Sequence, residues 1–390
     1  MFGFAVREAR FPKACQMVQS EHMSLRLNVP LSGGREYDIH VGDGTLVTDA
    51  GTVLAQVARS KRAIVITQPK IAALWGAKLV SSLFVAGFDS PAIVTFPHGE
   101  RYKNLKAVTQ LCDSLYDLSP AIDRKTLIIA LGGGVVGDVA GFVASLYLRG
   151  LDYVQVPTTL LAMVDSSVGG KTGVDFREGK NLIGAFYQPR SVLIDVETLS
   201  TLPVRERRAG IAEVIKYGVI REPSILSLLS AREMTYRDAA VLSDLIQRSC
   251  IIKADVVSRD EYETTGLRAI LNFGHTVGHA LESATNYRRY KHGEAVAIGM
   301  MAAAAIGEAH GVTPPEVRTA IEKALIAQKL PTGFPPEMDV ETILPLMARD
   351  KKAEGGKARF VLATSIGSTK VFSDVEESAI REGIRRVTRH

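Results

Sequence analysis

A β-rich run that ends in a glycine-dense turn constrains this chain more than any other feature of its sequence. Residues 126–145 are TLIIALGGGVVGDVAGFVAS, in which Gly132, Gly134 and Gly137 have G-x-G-x-x-G spacing. A strand followed by such a turn and a helix places backbone N–H groups at the helix N-terminus, where they and the helix dipole favour phosphate. The segment therefore predicts a strand–turn–helix unit of an α/β fold.

Two interpretations of this turn stay open. A dinucleotide fingerprint has an acidic residue about 20 residues further on. Here that position falls near Pro157, Thr158 and Thr159, and none of them is acidic. The turn either binds nucleotide phosphate or packs a strand closely against a helix. Asp138, directly after the glycines, is otherwise a carboxylate that satisfies the helix dipole.

The chain has two regions with different patterns of apolar residues. Short β-rich runs alternate with helical stretches before residue 203: RAIVITQ, PAIVTF, TLIIAL, YVQVPTT and SVLIDVE. Helical spacing of apolar residues follows in AGIAEVIKYGVI, ILSLLSA, AAVLSDLIQRSCIIKADVV and EAVAIGMMAAAAIGEAHG, and RFVLATSIGSTKVF suits a hairpin. We predict a disordered tail at 1–24, an α/β domain with a mainly parallel sheet at 25–203, a helical domain at 204–390, and a cleft between the domains.

Composition argues against several classes of protein. The 47 basic and 42 acidic residues are interspersed, so the net charge of +5 favours an anionic small molecule as much as nucleic acid. Three scattered cysteines argue against a disulfide framework and fit a reducing cytoplasm. The longest weakly polar stretch, 295–307, is shorter than the about 20 residues of a membrane span and predicts a buried helix. The first 22 residues lack the apolar core of a signal peptide.

A second glycine loop strengthens the phosphate hypothesis. Residues 165–173, DSSVGGKTG, supply hydroxyls, flexible amides and the cation of Lys171, although the P-loop spacing is absent. Lys180 and Asn181 follow beside further glycines. An ordinary polar loop is the alternative.

Glu213 and three histidines are candidate metal ligands. His275 and His279 are four residues apart, and His292 follows. Two imidazoles on one helical face, a third beyond a loop and a carboxylate suit zinc, although the metalloprotease glutamate is missing. The alternatives are hydrogen-bonded histidines and a surface salt bridge from Glu213 to Lys216, three residues on. The apolar neighbours of Glu213 favour a buried carboxylate, which needs a cation.

Several lysine and arginine residues accompany the histidines. Lys253 and Arg268 precede the histidines, and an Asp-Lys-Lys triplet ends at Lys352. Arg268 and Asn272 lie seven and three residues before His275, which on one continuous helix is a single face. Such groups beside a metal predict a pocket for an oxygen-rich anion, whereas charge runs are otherwise solvated faces.

The quoted segments together resemble the 3-dehydroquinate synthase family. The resemblance spans residues 25–367 and includes PHGERYKNL, LGGGVVGDVAGFVAS, VPTTLLAMVDSSVGGKTGVD, GKNLIGAFYQP, AEVIKYG, GLRAILNFGHTVGHALE and HGEAVAIGM. It implies a Rossmann-like NAD-binding α/β domain followed by an all-α metal- and substrate-binding domain, in a cytoplasmic homodimer. It also implies conversion of 3-deoxy-D-arabino-heptulosonate 7-phosphate, a phosphorylated sugar acid, to 3-dehydroquinate and phosphate. NAD would be reduced and reoxidised around the phosphate elimination before ring closure.

Residue by residue, the resemblance implies three groups of site residues. The ligands of Zn²⁺ or Co²⁺ would be Glu213, His275 and His292. The NAD contacts would be His98, Gly99, Glu100, Arg101, Tyr102, Lys103, Gly134, Val135, Val136, Gly137, Asp138, Thr158, Thr159, Lys171, Lys180, Thr198, Leu199, Ser200 and Thr201. The substrate pocket would contain Asp165, Lys171, Asn181, Lys216, Lys253, Arg268, Asn272, His279 and Lys352, with Arg149 supplied across the dimer. The family commonly has aspartate where this chain has His98.

Two enzyme classes remain as alternatives: another sugar-phosphate cyclase, and a glycerol-dehydrogenase-like NAD and metal oxidoreductase. The DSSVGGKTGV loop and the cationic pocket argue against the oxidoreductase, and Lys253, Arg268, Asn272 and Lys352 favour a substrate with a carboxylate. No nucleic-acid or membrane partner is expected.

Overall fold

The computed structural model describes residues 17–19, 25–177, 179–351 and 359–388. As predicted, strands alternate with helices before residue 203, and helices predominate after it. The strands are β1 Met17–Gln19, β2 Leu25–Pro30, β3 Glu36–Gly42, β4 Ala63–Thr67, β5 Ala92–Thr95, β6 Leu127–Gly132, β7 Tyr153–Pro157, β8 Lys171–Phe176, β9 Gly179–Phe186, β10 Ser191–Asp195, β11 Phe360–Ser365 and β12 Ser368–Phe372. The α-helices are α1 Thr45–Thr48, α2 Ala50–Val57, α3 Pro69–Ile71, α4 Ala77–Val85, α5 Leu105–Tyr116, α6 Gly134–Leu146, α7 Val204–Ile220, α8 Pro223–Leu229, α9 Ala239–Arg259, α10 His275–Ala284, α11 His292–Ala309, α12 Pro315–Ala327, α13 Val340–Lys351 and α14 Glu377–Val387.

The described residues form an eight-stranded sheet in the order β1-β2-β3-β10-β7-β6-β4-β5. The strands from β3 to β5 in this order are parallel, and β1 and β2 add an antiparallel edge. All five predicted β-rich runs are strands of this sheet. The chain passes from β5, on one side of β4, to β6 on the other side, so the strand order reverses between β4 and β6. Such a reversal opens a crevice at the carboxyl ends of the strands.

Helices cover both faces of the sheet. In β4, Ile64 and Ile66 pack into one buried cluster with residues of α5 and α6. Ala63 and Val65 point to the opposite face and join a cluster with residues of α2 and α4. Burial on both faces explains why these strands are continuous apolar runs rather than alternating ones.

The helical part is built around α11, which is buried along most of its length, as predicted for 295–307. Its start lies against α7, because a Cβ on Gly293 would lie 1.9 Å from Ala209 O. Only glycine permits this approach, which brings His292 beside Glu213. The predicted hairpin near the C-terminus is also present, as β11 and β12. Among the residues that the structure describes, no helix has both the length and the apolar character needed to cross a membrane.

Two of the predicted domain limits can be compared with the structure: the end of the tail and the boundary at residue 203. Within the predicted tail, Met17–Gln19 pairs with β2 as a short strand, and residues 1–16 and 20–24 lie outside the described residues. Helix α7 begins directly after residue 203, but one buried cluster joins residues of β2, β3 and β10 to residues of α7 and α9. The division at residue 203 therefore stays a proposal.

Candidate active site

The predicted nucleotide segments lie at the carboxyl edge of the parallel sheet. Gly132 pairs with Pro157 at the ends of β6 and β7, and Thr67 pairs with Thr95 at the ends of β4 and β5. The segments 98–103, 134–138, 158–159 and 198–201 follow β5, β6, β7 and β10 respectively. Because parallel strands end at a common edge, these segments gather beside the crevice between β4 and β6.

The glycine turn after β6 packs a strand closely against a helix, which is one of the two interpretations that the sequence left open. Gly137 packs against β7, because a Cβ there would lie 2.5 Å from Gln155 Oε1. Gly134 begins α6, and no side-chain hydrogen bond caps this helix in the described structure. Val136 N and Gly137 N donate to Gly133 O, which leaves the N–H groups of Gly134 and Val135 as the ones that can face an anion at the strand ends. Asp138 forms an ion pair with Lys103 at 2.5 Å, so it does more than satisfy the helix dipole.

The two threonine segments differ in how well their hydroxyl groups are bonded. Thr158 is buried, and its Oγ1 has no hydrogen-bond partner among the described residues, whereas Thr159 Oγ1 accepts from Ala162 N at 3.2 Å. After β10, Thr198 donates to Asp195 O at 2.7 Å, and Thr201 accepts from the Trp75 indole at 3.1 Å. The Thr158 hydroxyl is thus a buried polar group at the strand edge that a ligand can satisfy.

The segment after β5 turns at Gly99, whose φ of 115° lies in a region that glycine adopts far more readily than other residues. His98 Nδ1 lies 2.9 Å from Gln68 Oε1, at the end of β4. A short 3₁₀ helix, Glu100–Tyr102, leads to Lys103. The segment therefore reaches from the edge of the crevice toward the glycine turn.

Lys103 joins three of the predicted segments. Its side chain is buried, and Nζ lies 2.5 Å from both Asp138 Oδ2 and Asn181 Oδ1. Asn181 has a φ of 54°, and its N–H donates to Asp175 Oδ1 at 2.8 Å. Burial lowers the pKa of Lys103, but the negative charges around it, Asp138 foremost, outweigh burial and raise it. Lys103 is therefore a fixed cation between the glycine turn and the β8–β9 hairpin.

The β8–β9 hairpin spans the cleft between the sheet and the helical layer. Lys180 Nζ lies 3.6 Å from Glu100 on the sheet side and 3.6 Å from Glu282 on α10. Lys171, at the base of the hairpin, is 56% exposed and pairs with Glu263 at 2.5 Å. Both lysines predicted from this region thus lie at the junction of the two layers.

Glu213, His275 and His292 converge from α7, α10 and α11. Both imidazole Nε2 atoms lie 3.6 Å from Glu213 Oε1, and one ligand atom from each residue falls within 4.8 Å of the others. Glu213 is fully buried, and although it forms an ion pair with Lys216, neither of its oxygens accepts a hydrogen bond within the part of the chain that the structure describes. A desolvated carboxylate facing two imidazoles is a donor set that suits Zn²⁺ or Co²⁺.

The protonation of the two imidazoles differs. Burial, together with the nearby charge of Lys216, lowers the pKa of His275, so this imidazole is neutral and can coordinate. Burial also acts on His292, but the hydrogen bond and charge of Glu282 outweigh it and raise the pKa of His292. Metal binding at this cluster would therefore release a proton from His292 at slightly acid pH.

A second ion pair, between the buried Lys253 and the partly exposed Asp165, lies next to the histidine cluster. Lys253 Nζ is 2.6 Å from both the Oδ1 and the backbone O of Asp165, and the Tyr217 hydroxyl is 3.2 Å from the same Oδ1. Burial opposes the ionisation of Asp165, but the charges of Lys253 and Lys216 outweigh burial and hold its pKa below the ordinary value. The predicted pocket thus contains fixed charges of both signs.

Arg268 and Asn272 are not on one helical face with His275, contrary to the spacing argument. They lie on a separate 3₁₀ helix, Leu267–Asn272, and Gly274 at a φ of 81° breaks the chain before α10. Arg268 is buried and donates from Nη1 to Glu261 O at 2.8 Å, whereas Asn272 is exposed. The close approach of Gly274 to Met300, where a Cβ would lie 2.7 Å from Cγ, requires this break.

Three predicted pocket residues are either exposed or lie outside the described residues. His279 is exposed, with its ring centroid 5.4 Å from that of His275. Arg149 is exposed at the far end of α6, which is about 20 Å from Gly134 at 1.5 Å per residue. Lys352 lies outside the described residues.

Several acidic residues at the site were missed from the sequence. Glu263 lies between two predicted cations, 2.5 Å from Lys171 and 3.4 Å from Arg268. Glu282 contacts His292 Nδ1 at 3.4 Å and follows His279 by three residues, so its helical spacing was a usable signal. The Glu263 contacts join distant segments, and no local pattern indicates them.

Glu261 anchors the loop that carries Arg268. Its buried carboxylate accepts from Ser32 N at 3.1 Å and from Arg35 Nη2 at 2.8 Å, on the turn between β2 and β3. Burial raises the pKa of Glu261, but the Ser32 and Arg35 hydrogen bonds outweigh it and lower the pKa below its ordinary value. The ionised form therefore stabilises the folded protein.

We expect Glu261→Gln to lower the free energy of unfolding by about 1.5–3 kcal/mol at pH 7, since it removes charged hydrogen bonds. The folded pKa is below the unfolded one, so this stabilisation is present above about pH 4.3 and is lost as the pH falls through the folded value. Urea unfolding from pH 7 to 3 should show the difference from the unmodified protein shrinking. Glu377→Gln, at a mostly exposed pair with Arg381, is the control. A difference that does not vary with pH would contradict the assignment.

Comparison with known proteins agrees with this geometry. Residues 93–209 match the family model described as 3-dehydroquinate synthase N-terminal, and residues 210–353 match 3-dehydroquinate synthase C-terminal. The 3-dehydroquinate synthase of Gloeobacter violaceus is 49% identical over 346 residues, which cover 88% of this chain and 94% of that protein.

Two solved synthases share the fold. A 2-deoxy-scyllo-inosose synthase complexed with carbaglucose-6-phosphate, NAD⁺ and Co²⁺ aligns with a TM-score of 0.79 at 28% identity, covering 93% of this chain and 99% of that one. The 2-epi-5-epi-valiolone synthase from Streptomyces hygroscopicus subsp. jinggangensis 5008, with NAD⁺ and Zn²⁺ bound, gives 0.79 at 27% identity and covers 90% and 96%.

The chain shares its parallel sheet and helical layer with these two solved synthases. Within that class of fold, the chain belongs to the 3-dehydroquinate synthase family. The predicted family and the predicted fold class are both confirmed.

Proposed function

We propose that this chain is a 3-dehydroquinate synthase, which converts 3-deoxy-D-arabino-heptulosonate 7-phosphate to 3-dehydroquinate and phosphate. The observation that carries the proposal is the convergence of Glu213, His275 and His292 beside the ion pair of Asp165 and Lys253. The family match at 49% identity favours this reaction over those of the solved cyclases, at 27–28% identity, and over a simple oxidoreductase.

Glu213, His275 and His292 would hold a divalent ion. Oε1 of the buried Glu213 supports this, because it faces both imidazoles and accepts no hydrogen bond from a described residue, whereas Oε2 contacts Lys216. The ion, when bound, supplies Lewis acidity that polarises an oxygen of the substrate. Lys216 stays close to Glu213 and balances part of the local negative charge.

The strand edge would hold NAD. The uncapped start of α6 and the Thr158 hydroxyl fit its phosphate and hydroxyl groups, with the segments 98–103 and 198–201 beside them and Lys180 reaching across from the hairpin. NAD, when bound, supplies reversible hydride transfer. Lys103 links the glycine turn to the β8–β9 hairpin through Asp138 and Asn181.

The cationic residues would bind the substrate. Lys253 and Arg268, with Asn272 and Lys352, would hold its carboxylate and hydroxyl groups. Lys171, Asn181 and His279 would surround its phosphate, and phosphate can itself accept the proton that leaves with it. Because Lys253 and Arg268 are buried and already hydrogen-bonded, they present their charges without further ordering, which favours orientation of the substrate.

Phosphate release tests this function. The purified protein is mixed with the heptulosonate phosphate, with and without NAD and a metal chelator. We expect phosphate release that requires NAD and is abolished by the chelator, with no net change in absorbance at 340 nm because NAD is regenerated. Net NADH formation with a polyol such as glycerol, without phosphate release from the sugar acid, would instead support the oxidoreductase.

We also propose that the enzyme is a cytoplasmic homodimer in which Arg149 reaches the partner's site. The support for the dimer is that Arg149 lies with Leu148, which is 40% exposed, on the 3₁₀ turn Tyr147–Arg149, and that this turn directly follows Leu146, which is 49% exposed at the end of α6. Light scattering of the purified protein tests the assembly, and a monomer at assay concentration would overturn this part of the proposal.

A further inference from the structure

The two histidines of the cluster are oriented in the same way by different acceptors. His275 and His292 both direct Nε2 toward Glu213 Oε1, at 3.6 Å each. The other ring nitrogen, Nδ1, lies 3.2 Å from Phe273 O in His275 and 3.4 Å from Glu282 Oε2 in His292. A neutral imidazole has one N–H and one lone pair, so an acceptor at Nδ1 leaves the lone pair on Nε2.

Glu282 is built into the helical layer rather than exposed to solvent. It lies on α10, one helical face with His275 and His279, and it is 4% exposed. Its Oε2 faces His292, and its Oε1 lies 3.6 Å from Lys180 Nζ on the β8–β9 hairpin. One carboxylate thus contacts both an imidazole of the cluster and a lysine of the sheet side.

We propose that Glu282 is a positioning residue for the ion site: it accepts the Nδ1–H of His292, directs Nε2 of that imidazole toward Glu213, and is not itself a ligand. This inference rests on the proposed function, because it assumes that the cluster holds a divalent ion. Carboxylates that hydrogen-bond to coordinating imidazoles set the tautomer and ring orientation, and they raise the basicity of the ligand.

A direct role for Glu282 as a ligand is the competing arrangement. His279, Glu282 and His292 also offer ligand atoms within 4.8 Å of one another. Two observations favour the positioning role. Glu282 Oε2 contacts His292 Nδ1 at 3.4 Å, whereas neither oxygen of Glu213 accepts a hydrogen bond from a residue that the structure describes. His279 is exposed, while His275 is buried beside Glu213.

Cobalt affinity provides the first test. Dissociation constants are measured by chelator competition on the full-length protein, for the unmodified protein and for Glu282→Gln and Glu282→Ala. We expect Co²⁺ binding to weaken about 10–100-fold in the alanine variant. The glutamine variant should lose less, because its amide oxygen still accepts the imidazole N–H. The control is Glu337→Gln, at an exposed pair with Arg289, which should bind as the unmodified protein does.

The Co²⁺ absorption spectrum separates positioning from ligation. We expect the visible bands of the Glu282→Gln protein to keep the shape and intensity of the unmodified protein, since the ligand set does not change. A changed coordination spectrum in this variant would show that Glu282 is a ligand and would overturn the proposal. Unchanged affinity in both variants would overturn it equally.

The tautomer of His292 provides a further test, because it would not change if Glu282 only stabilised the fold. In the Zn²⁺-loaded protein with ¹⁵N-labelled histidine, long-range ¹H–¹⁵N correlations should show His292 protonated on Nδ1 and coordinated through Nε2. The opposite tautomer would refute the proposal. These outcomes are distinct from failure of the proposed function. If the unmodified protein binds no divalent ion, the metal assignment itself fails. If it binds and Glu282 has no effect, only the positioning role fails.

Discussion

Replacing Glu213 with glutamine is expected to cause the largest loss of activity of any single substitution considered. The amide has nearly the same shape but no charge, so the cluster with His275 and His292 would lose its anionic ligand. Lewis-acid stabilisation by a bound ion is worth several kcal/mol. We therefore expect phosphate release to fall by about 10³-fold, since each ~1.4 kcal/mol is a factor of ten.

The same substitution should also lower the free energy of unfolding, because it removes the anionic partner of Lys216. Its ammonium is 1% exposed and pairs with Glu213, so the variant leaves a buried cation with a neutral neighbour. Breaking a buried pair costs up to about 3–5 kcal/mol, and the nearby Asp165 should keep the loss toward the lower value. Urea unfolding, metal content and phosphate release are measured together, with Glu233→Gln as a control at the partly exposed pair with Arg208. A folded Glu213→Gln protein that retains its metal and its full activity would refute the ligand assignment.

The pair of Asp165 and Lys253 is expected to show strong coupling in a double-mutant cycle. Lys253 is 8% exposed, and its Nζ lies 2.6 Å from Asp165 Oδ1. Asp165→Asn should lower the free energy of unfolding by about 3 kcal/mol, because it leaves the buried charge of Lys253 unpaired. Lys253→Met should cost less, because the Asp165 side chain is 25% exposed. The double variant should lose less than the sum of the single losses, by about 0.5–3 kcal/mol.

A second cycle at an exposed pair provides the matched control. Asp244 and Arg248 are four residues apart on α9 and are 45% and 33% exposed. Their coupling should be only about 0.3–0.5 kcal/mol, because solvent screens the charges. Both cycles are measured by urea unfolding at pH 7. Equal coupling in the two cycles would show that burial of Lys253 does not strengthen its interaction with Asp165. Phosphate release should fall in both single variants of the Asp165 and Lys253 pair, since each disturbs the charge that Lys253 presents.

The strands of the sheet could be predicted because their pattern is local. Five runs of β-branched and aliphatic residues, bounded by polar or turn residues, are the strands β4, β5, β6, β7 and β10. Their burial on both faces makes the apolar signal continuous. The β8–β9 hairpin had no such signal, since β9 has no buried residue and alternates only between partly and fully exposed positions. Its place across the cleft depends on contacts with α10 and with the segment after β5.

The helical-face argument for Arg268 and Asn272 failed for a reason that spacing cannot reveal. It assumed one continuous helix into His275, but Gly274 adopts a left-handed conformation and packs against Met300 of α11. The need for that close approach arises only when α10 and α11 are packed together. The pairing of Glu263 with Lys171 and Arg268 likewise joins three segments that are remote in sequence.

By itself, the sequence determined the strand–turn–helix unit at the glycines, the order of sheet and helices, and the candidate ligands Glu213, His275 and His292. Periodicity and residue chemistry operate over a few neighbouring residues, so they can be recognised along the chain. Only the tertiary structure decided that these ligands meet, that Glu282 contacts the outer nitrogen of His292, and that Lys180 reaches from the hairpin to both layers. Those contacts depend on how three helices and the sheet pack. Packing is set by close approaches, such as that of Gly293 to Ala209, which no local pattern records.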